Sequence, residues 1–222
     1  MTAPAASSDP RDPTHVPAAT YDLLLPLYEP LVKHLMRHRE TRIPMLERAG
    51  IGAGHHVLDI GCSTGAMTLL VKLREPAAHV YGLDPNPNAL ARALGKSREA
   101  GFPLKVYRGR SQRLPFPTES IDRVLSSLMI HRLTRAQKLA TFREVHRVLY
   151  LEGSLHVLDF GPQFTRYERA VSRVIHRGER NRENLRGELP GLMEEAGLVR
   201  ARETASVGTA LGRVSVYEAF RT

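Results

Sequence analysis

The sequence predicts an α/β protein: a seven-stranded, mostly parallel sheet with helices on both faces, finished by a C-terminal antiparallel hairpin. Three observations predict it. Short apolar runs alternate five times with helical stretches, the pattern of a parallel sheet covered on both sides. The first run, Val57 to Ile60, enters the tight turn Gly61-Cys62-Ser63-Thr64-Gly65 and then a helix from Ala66. Polar residues collect just after the strands, at the edge where open α/β sheets bind ligands.

The turn comes first because it names the ligand class. Gly61 can take a conformation closed to other residues, and Gly65 is expected to let backbone and ligand come close. The dinucleotide fingerprint wants further glycines at fixed offsets, but Ser63 and Ala66 stand there. A phosphate loop wants Gly-Lys-Ser/Thr, and no lysine follows the turn before Lys72. The turn therefore suits a nucleoside-like ligand without a pyrophosphate.

Composition bounds the rest. With 222 residues and 42% apolar content the chain suits one domain with a proper core. No apolar run reaches membrane-spanning length. Residues 1–18, rich in Pro, Ala, Ser and Asp, read as a disordered tail and not a secretory signal. Cys62 is the single cysteine, so a disulfide and a cysteine metal cluster are excluded and a cytoplasmic setting is expected. The formal charge of +9 is compatible with nucleic acid, but the arginines are scattered without aromatic interleaving. A solvated basic surface is the plainer reading.

Residues 19–50 are expected to form a helical cap, with Pro44 starting or restarting a helix that stops at Gly50. His34 and His38 have no third ligand in view, so no metal site is assigned. Helix 66–74 follows the turn, and strand 79–83 ends at Asp84. An acid there suits both ribose hydroxyls of a nucleoside, or else caps the helix spanning residues 88–100. Strand 104–108 leads to Arg110 and Ser111. Strand 121–126 is followed by Ser127 and, just past its end, His131. Thr134 is placed to cap a helix through Val148. Residues 149–153 are expected to turn the chain into strand 154–158, which ends in Asp159. Residues 163–187 read as a helical roof over the pocket, a helix follows to Gly197, and strands 198–205 and 213–220 form the hairpin.

Four blocks then resemble one family: Val57 to Gly65, Val80 to Pro85, Gly109 to His131, and Glu144 to Pro162. The chain is similar to class I S-adenosylmethionine-dependent methyltransferases with a Rossmann-like fold, in the group of ubiquinone/menaquinone biosynthesis C-methyltransferases and bacterial phospholipid N-methyltransferases. The resemblance makes 19–222 one methyltransferase domain. It implies S-adenosyl-L-methionine as cofactor, with Asp59, Gly61, Cys62, Ser63 and Gly65 around its methionine part. Asp84 would take the ribose, Pro85 would lie beside the adenine, and Arg110 and Ser111 would stand in the segment that reads the amino group. Ser126 and Ser127 would lie beneath the cofactor, and Tyr21 would close over it. Two departures stand out: Ser63 replaces the family's usual glycine, and Arg110 replaces a usual Asp. Arginine has donors only, where the adenine amino group needs an acceptor.

Methyl transfer from a sulfonium needs alignment and dryness more than a catalytic triad. His131 is the candidate general base and Asp159 the second candidate; an orienting role for His131 stays open. The expected acceptor is a hydrophobic small molecule, quinone-like, polyketide-like or lipid. A non-methylating member that keeps the pocket as a scaffold is the alternative, motivated by Arg110. A nucleic-acid methyltransferase fits less well, since Ser126-Ser127-Leu128-Met129 lacks the motif used for base amines. The resemblance leaves a homodimer open.

Overall fold

Seven strands, β1 (His56–Ile60), β2 (His79–Asp84), β3 (Lys105–Arg108), β4 (Ile121–Ser127), β5 (Leu149–Phe160), β6 (Val199–Thr209) and β7 (Gly212–Phe220), form one sheet in the order β3-β2-β1-β4-β5-β7-β6. The computed structural model describes residues 38–175 and 179–222. The expected tail, most of the helical cap and Tyr21 lie outside the described residues.

Strand β1 (His56–Ile60) is central, parallel to β2 (His79–Asp84) on one side and to β4 (Ile121–Ser127) on the other. Side chains alternate across a strand, and both faces of β1 are buried. Leu58 and Ile60 join a core with Phe142 and Val145 of α4 (Arg135–Val148) and Leu192 of α7 (Leu189–Glu195). Val57 joins a second core with Met45 and Leu46 of α1 (His38–Ala49) and Met67 and Val71 of α2 (Ala66–Arg74). Each fully buried aliphatic side chain contributes roughly 1.5–3 kcal/mol. Beyond β2 lie α3 (Pro87–Glu99) and the short edge strand β3 (Lys105–Arg108). On the other flank β5 (Leu149–Phe160) pairs parallel with β4 and antiparallel with β7 (Gly212–Phe220), which pairs with β6 (Val199–Thr209). The seven-stranded fold expected from the sequence is the fold observed.

Local signals placed most boundaries. Thr134 and Gln137 form a reciprocal capping box, so α4 begins where a hydroxyl meets a free N–H. Thr165 and Glu168 do the same for α5 (Arg166–Ile175), Glu168 accepting from Thr165 N at 2.9 Å and Thr165 Oγ1 from Glu168 N at 3.1 Å. Three expectations need correction. Residues 149–153 do not leave the sheet: Leu149 already pairs with Ile121, and the irregularity is a register shift within β5, where Glu152 takes φ 63°. Helix α1 runs through Pro44 instead of starting there. The hairpin strands extend to Thr209 and Gly212, leaving a two-residue loop.

The roof after β5 ends in a turn, Glu179–Asn181, followed by α6 (Arg182–Arg186). It is tied down by Lys138 of α4, which is wholly buried. Its three donors meet Arg180 O at 2.7 Å, Glu183 Oε2 at 2.8 Å and Asn184 Oδ1 at 2.7 Å. Burial works against the Glu183 charge, but the hydrogen bond and charge of Lys138 hold its carboxyl below the usual range. Among the described residues no helix is long and apolar enough to cross a membrane. Lys138→Met should destabilise the protein by about 3–5 kcal/mol, because Glu183 stays buried without its counter-charge. Urea titration of the variant checks it; a loss under about 1 kcal/mol would mean the roof is held by other contacts.

Candidate active site at the carboxyl edge of the sheet

The strand order reverses at β1 and β4, so a crevice opens beyond their carboxyl ends. The glycine turn forms one lip. Leu83 O accepts from Gly61 N at 2.7 Å and from Cys62 N at 3.1 Å, which fastens the turn to β2. Gly61 and Gly65 are left-handed at φ 73° and 76°, and Ser63 joins them at φ 50°. A serine there is strained where a glycine would not be.

Asp84 completes the lip. Its Oδ2 accepts from Ser63 N at 3.0 Å and its Oδ1 from Asn86 N at 2.8 Å. The cap of α3 is Asn86, whose side chain accepts from Asn88 N and Ala89 N, so capping does not explain Asp84. Burial raises the Asp84 carboxyl above its ordinary value, against the two N–H groups and the charge of Arg132. Arg132 belongs to the turn Ile130–Arg132 after β4, across the crevice.

Gly61 takes the turn conformation expected of it, and both glycines also sit close against protein atoms. A Cβ on Gly65 would stand 2.9 Å from Ala93 Cβ, and one on Gly61 would stand 2.8 Å from Met129 Cβ. The missing side chains thus make room for α3 and for Met129. Cys62 is buried against Gly82, and burial pushes its thiol up, which suits a packing residue and not a nucleophile.

Asp59 backs the same turn. At 1% exposure it lies beneath the turn, accepting from Thr68 Oγ1 at 2.7 Å. Burial raises its carboxyl to about 6, opposed by that hydrogen bond and by the charge of Arg42. Arg42 was not singled out in the sequence. It shares a helical face of α1 with the buried Met45, Leu46 and Ala49, so its spacing places it against the sheet.

Toward the expected adenine end, Pro85 and Arg110 are exposed at the rim. Ser111 is buried and its hydroxyl shares a hydrogen bond of 2.9 Å with Thr141 Oγ1 of α4, so only its backbone is placed to read a base. Ser126 and Ser127 close β4 with buried hydroxyls that have no partner. Alternation puts Ser126 on the face of Asp159 and Ser127 on that of Asp59.

The two catalytic candidates meet. His131 Nδ1 is 2.8 Å from Asp159 Oδ1, and His131 N donates to Asp159 Oδ2 at 3.1 Å. Asp159 also accepts from Phe160 N at 2.8 Å, and the Phe160 ring meets the imidazole edge-on at 5.0 Å. Among the described residues no cluster of acids, histidines and cysteine fits a metal ion. Asp84, held from behind by two N–H groups, keeps acceptor capacity for two hydroxyls, and the unpartnered serine hydroxyls stand on the far side of β1, at the end of β4. That donor and acceptor set fits a nucleoside.

Comparison with known proteins agrees. A family model described as a methyltransferase domain matches residues 57–153. An uncharacterized methyltransferase from Synechocystis sp. is 36% identical over 115 residues, 51% of each chain. The demethylmenaquinone methyltransferase of Thermus thermophilus is 33% identical over 110 residues, 50% of this chain and 49% of that one. The chain thus spans about half the length of the curated relatives it matches. The YcgJ protein of Bacillus subtilis superposes with a TM-score of 0.66 at 18% identity, over 83% of this chain and 99% of that one. At that identity the likeness is one of fold.

Asp59 makes a pH-dependent contribution to stability. Its folded value of about 6 lies above the ordinary 3.8, so the fold favours the protonated form. The penalty is absent below the ordinary value, grows as pH rises toward the folded one, and is full above it. The stability of Asp59→Asn relative to the parent should therefore rise with pH across this window, by about 3 kcal/mol in all. Urea titrations from pH 4 to 7 check it. A difference that does not change with pH would show that Asp59 titrates normally.

Proposed function

We propose, on the premise that the chain belongs to the class I S-adenosylmethionine-dependent methyltransferases, that it methylates a hydrophobic small-molecule acceptor of quinone-like or related chemistry. The observation that carries this reading is the pairing of two acids at one sheet edge. Asp84 stands on the cofactor side of the β1/β4 switch, and Asp159 stands on the acceptor side bonded to His131. A quinone-like acceptor is supported by the relatives named demethylmenaquinone methyltransferase.

When bound, S-adenosylmethionine supplies an already activated methyl group on a sulfonium. The chain's residues hold, align and exclude water. Asp84 accepts the ribose hydroxyls from a position set by Ser63 N and Asn86 N. Asp59, with its charge partly matched by Arg42, supplies negative potential beneath the turn and favours a cationic ligand above it. On the acceptor side, Asp159 accepts a hydrogen bond from the Nδ1–H of His131, which leaves the basic lone pair of the imidazole on Nε2. An enol or phenol loses its proton to that nitrogen, and the buried Asp159 steadies the imidazolium that forms. Dryness around the reacting atoms comes from the roof that Lys138 holds in place.

Calorimetric titration with S-adenosylmethionine should give a binding isotherm; absence of heat and of thermal stabilisation would favour the scaffold alternative. Asp84→Ala should weaken that binding by at least about tenfold, equivalent to roughly 1.4 kcal/mol. Unchanged affinity would remove Asp84 from the site. His131→Ala should lower kcat by about 10²–10⁴ while leaving cofactor affinity within about twofold. A rise in KM with kcat intact would make His131 a wall of the pocket.

A further inference from the structure

Past the exit of β5, the carboxyl edge carries a surface that the transfer reaction does not use. Phe164 and Tyr167, three residues apart where the chain enters α5, are 62% and 58% exposed. A single apolar side chain in water is ordinary, but two aromatic rings fixed side by side call for an occupant. These two are fixed. The Tyr167 hydroxyl donates to Ala210 O in the hairpin loop at 3.0 Å, and the Arg213 guanidinium lies 4.6 Å above the centre of the Phe164 ring. Helix α5 itself packs on β7. The rings therefore stand on a platform made by the start of α5 and the tip of the hairpin.

The charge around them has one sign. Arg166 and Arg169 flank Tyr167 and are exposed. The only acid between Phe160 and Ala170 is Glu168, and it is turned inward: 8% exposed, it accepts from Phe164 N at 2.8 Å and from Thr165 N at 2.9 Å. Farther along the same edge, Arg108, Arg110 and Arg132 are exposed after β3 and β4, whereas Asp59 and Asp159 are buried. The amino edge of the sheet gives the contrast. It too exposes apolar side chains, Tyr150 and Leu151, but the acids Glu119 and Glu152 are exposed with them.

We propose that the carboxyl edge docks on an anionic lipid surface, with the Phe164 and Tyr167 rings in the headgroup layer and Arg166 and Arg169 on lipid phosphates. Aromatic rings settle at that depth, and each arginine close to an anionic leaflet tightens binding roughly fivefold. A second copy of this chain is the wrong occupant, because a symmetric contact would press the same arginines together. Docked in this way the crevice opens toward the bilayer, and an acceptor dissolved in lipid reaches His131 from that side. This last consequence rests on the methyl-transfer reading above; the docking does not.

Co-sedimentation of the full chain with vesicles tests it. Vesicles of phosphatidylcholine with about one third phosphatidylglycerol should bind the parent at least about tenfold more tightly than phosphatidylcholine alone, and less tightly as salt is raised. Arg166→Ala with Arg169→Ala should cost about tenfold on the anionic vesicles, and Phe164→Ser with Tyr167→Ser should cost at least about tenfold there too. Both double variants should melt with the parent. If either does not fold, a spectroscopic variant carries the test. The chain has no tryptophan, so Tyr167→Trp supplies a single reporter. Its emission should shift to the blue on anionic vesicles and be quenched by brominated lipid, while Tyr150→Trp at the opposite edge stays unquenched. The proposal is overturned if the parent ignores anionic vesicles, if folded double variants bind as the parent does, or if the reporter at 150 is quenched and the one at 167 is not. It is equally overturned if duplex RNA binds more tightly than the vesicles and displaces them, which would make the surface one for nucleic acid. Failure of the methyl-transfer reading registers separately, as an absence of S-adenosylhomocysteine binding to the parent.

Discussion

Three N–H groups of one turn end on two adjacent residues of β2. Gly61 N and Cys62 N meet the Leu83 carbonyl, and Ser63 N meets the Asp84 carboxylate. No ordinary turn geometry reaches all three, so Gly61 and Ser63 are driven into the left-handed region. Everything at the carboxyl edge hangs on this fastening. It fixes where α2 starts, keeps Asp84 turned toward the turn, and leaves the mouth of the crevice between β1 and β4 open to a ligand.

The sheet also separates two kinds of electrostatics. Asp59 lies on the face packed by α1 and α2, Asp159 on the face packed by α4 and α7. Each acid is buried and each has its own partner, Arg42 in one case and His131 in the other. With the sheet between them, a charge change at the His131–Asp159 pair is poorly felt beneath the turn. That separation suits a reaction in which one site holds a cation and the other moves a proton.

What could be read from the sequence was local. The turn, the strand ending in Asp84, the Thr134 cap and the meeting of His131 with Asp159 at one edge depend on residues near in sequence or on the order of strands. Three things resisted. Lys138 and Arg42 look like ordinary surface cations until their spacing is noticed: Lys138 with Thr141, Phe142 and Val145, and Arg42 with Met45, Leu46 and Ala49, lie on single buried faces. Their partners are far away in sequence, so spacing reveals the burial and not the acid. The space beside Gly61 and Gly65 is taken by Met129 and Ala93, contacts set by tertiary packing. And β5 runs on through Gly153 because its pairing with Ile121 outweighs the turn chemistry of the residues around it.

The approach of Gly65 to Ala93 has a consequence for how this chain can drift. Ala93 is already the smallest residue with a side chain, so a larger residue at 65 finds no neighbour able to shrink except by becoming glycine. Glycine within α3 would weaken the helix by about 1 kcal/mol, and the new residue at 65 would still have to hold φ 76°. A single substitution at 65 and its compensating partner at 93 are therefore both unfavourable alone and poor together. The two positions form a locked pair, and divergence in this part of the lineage must be carried by the loops and the roof.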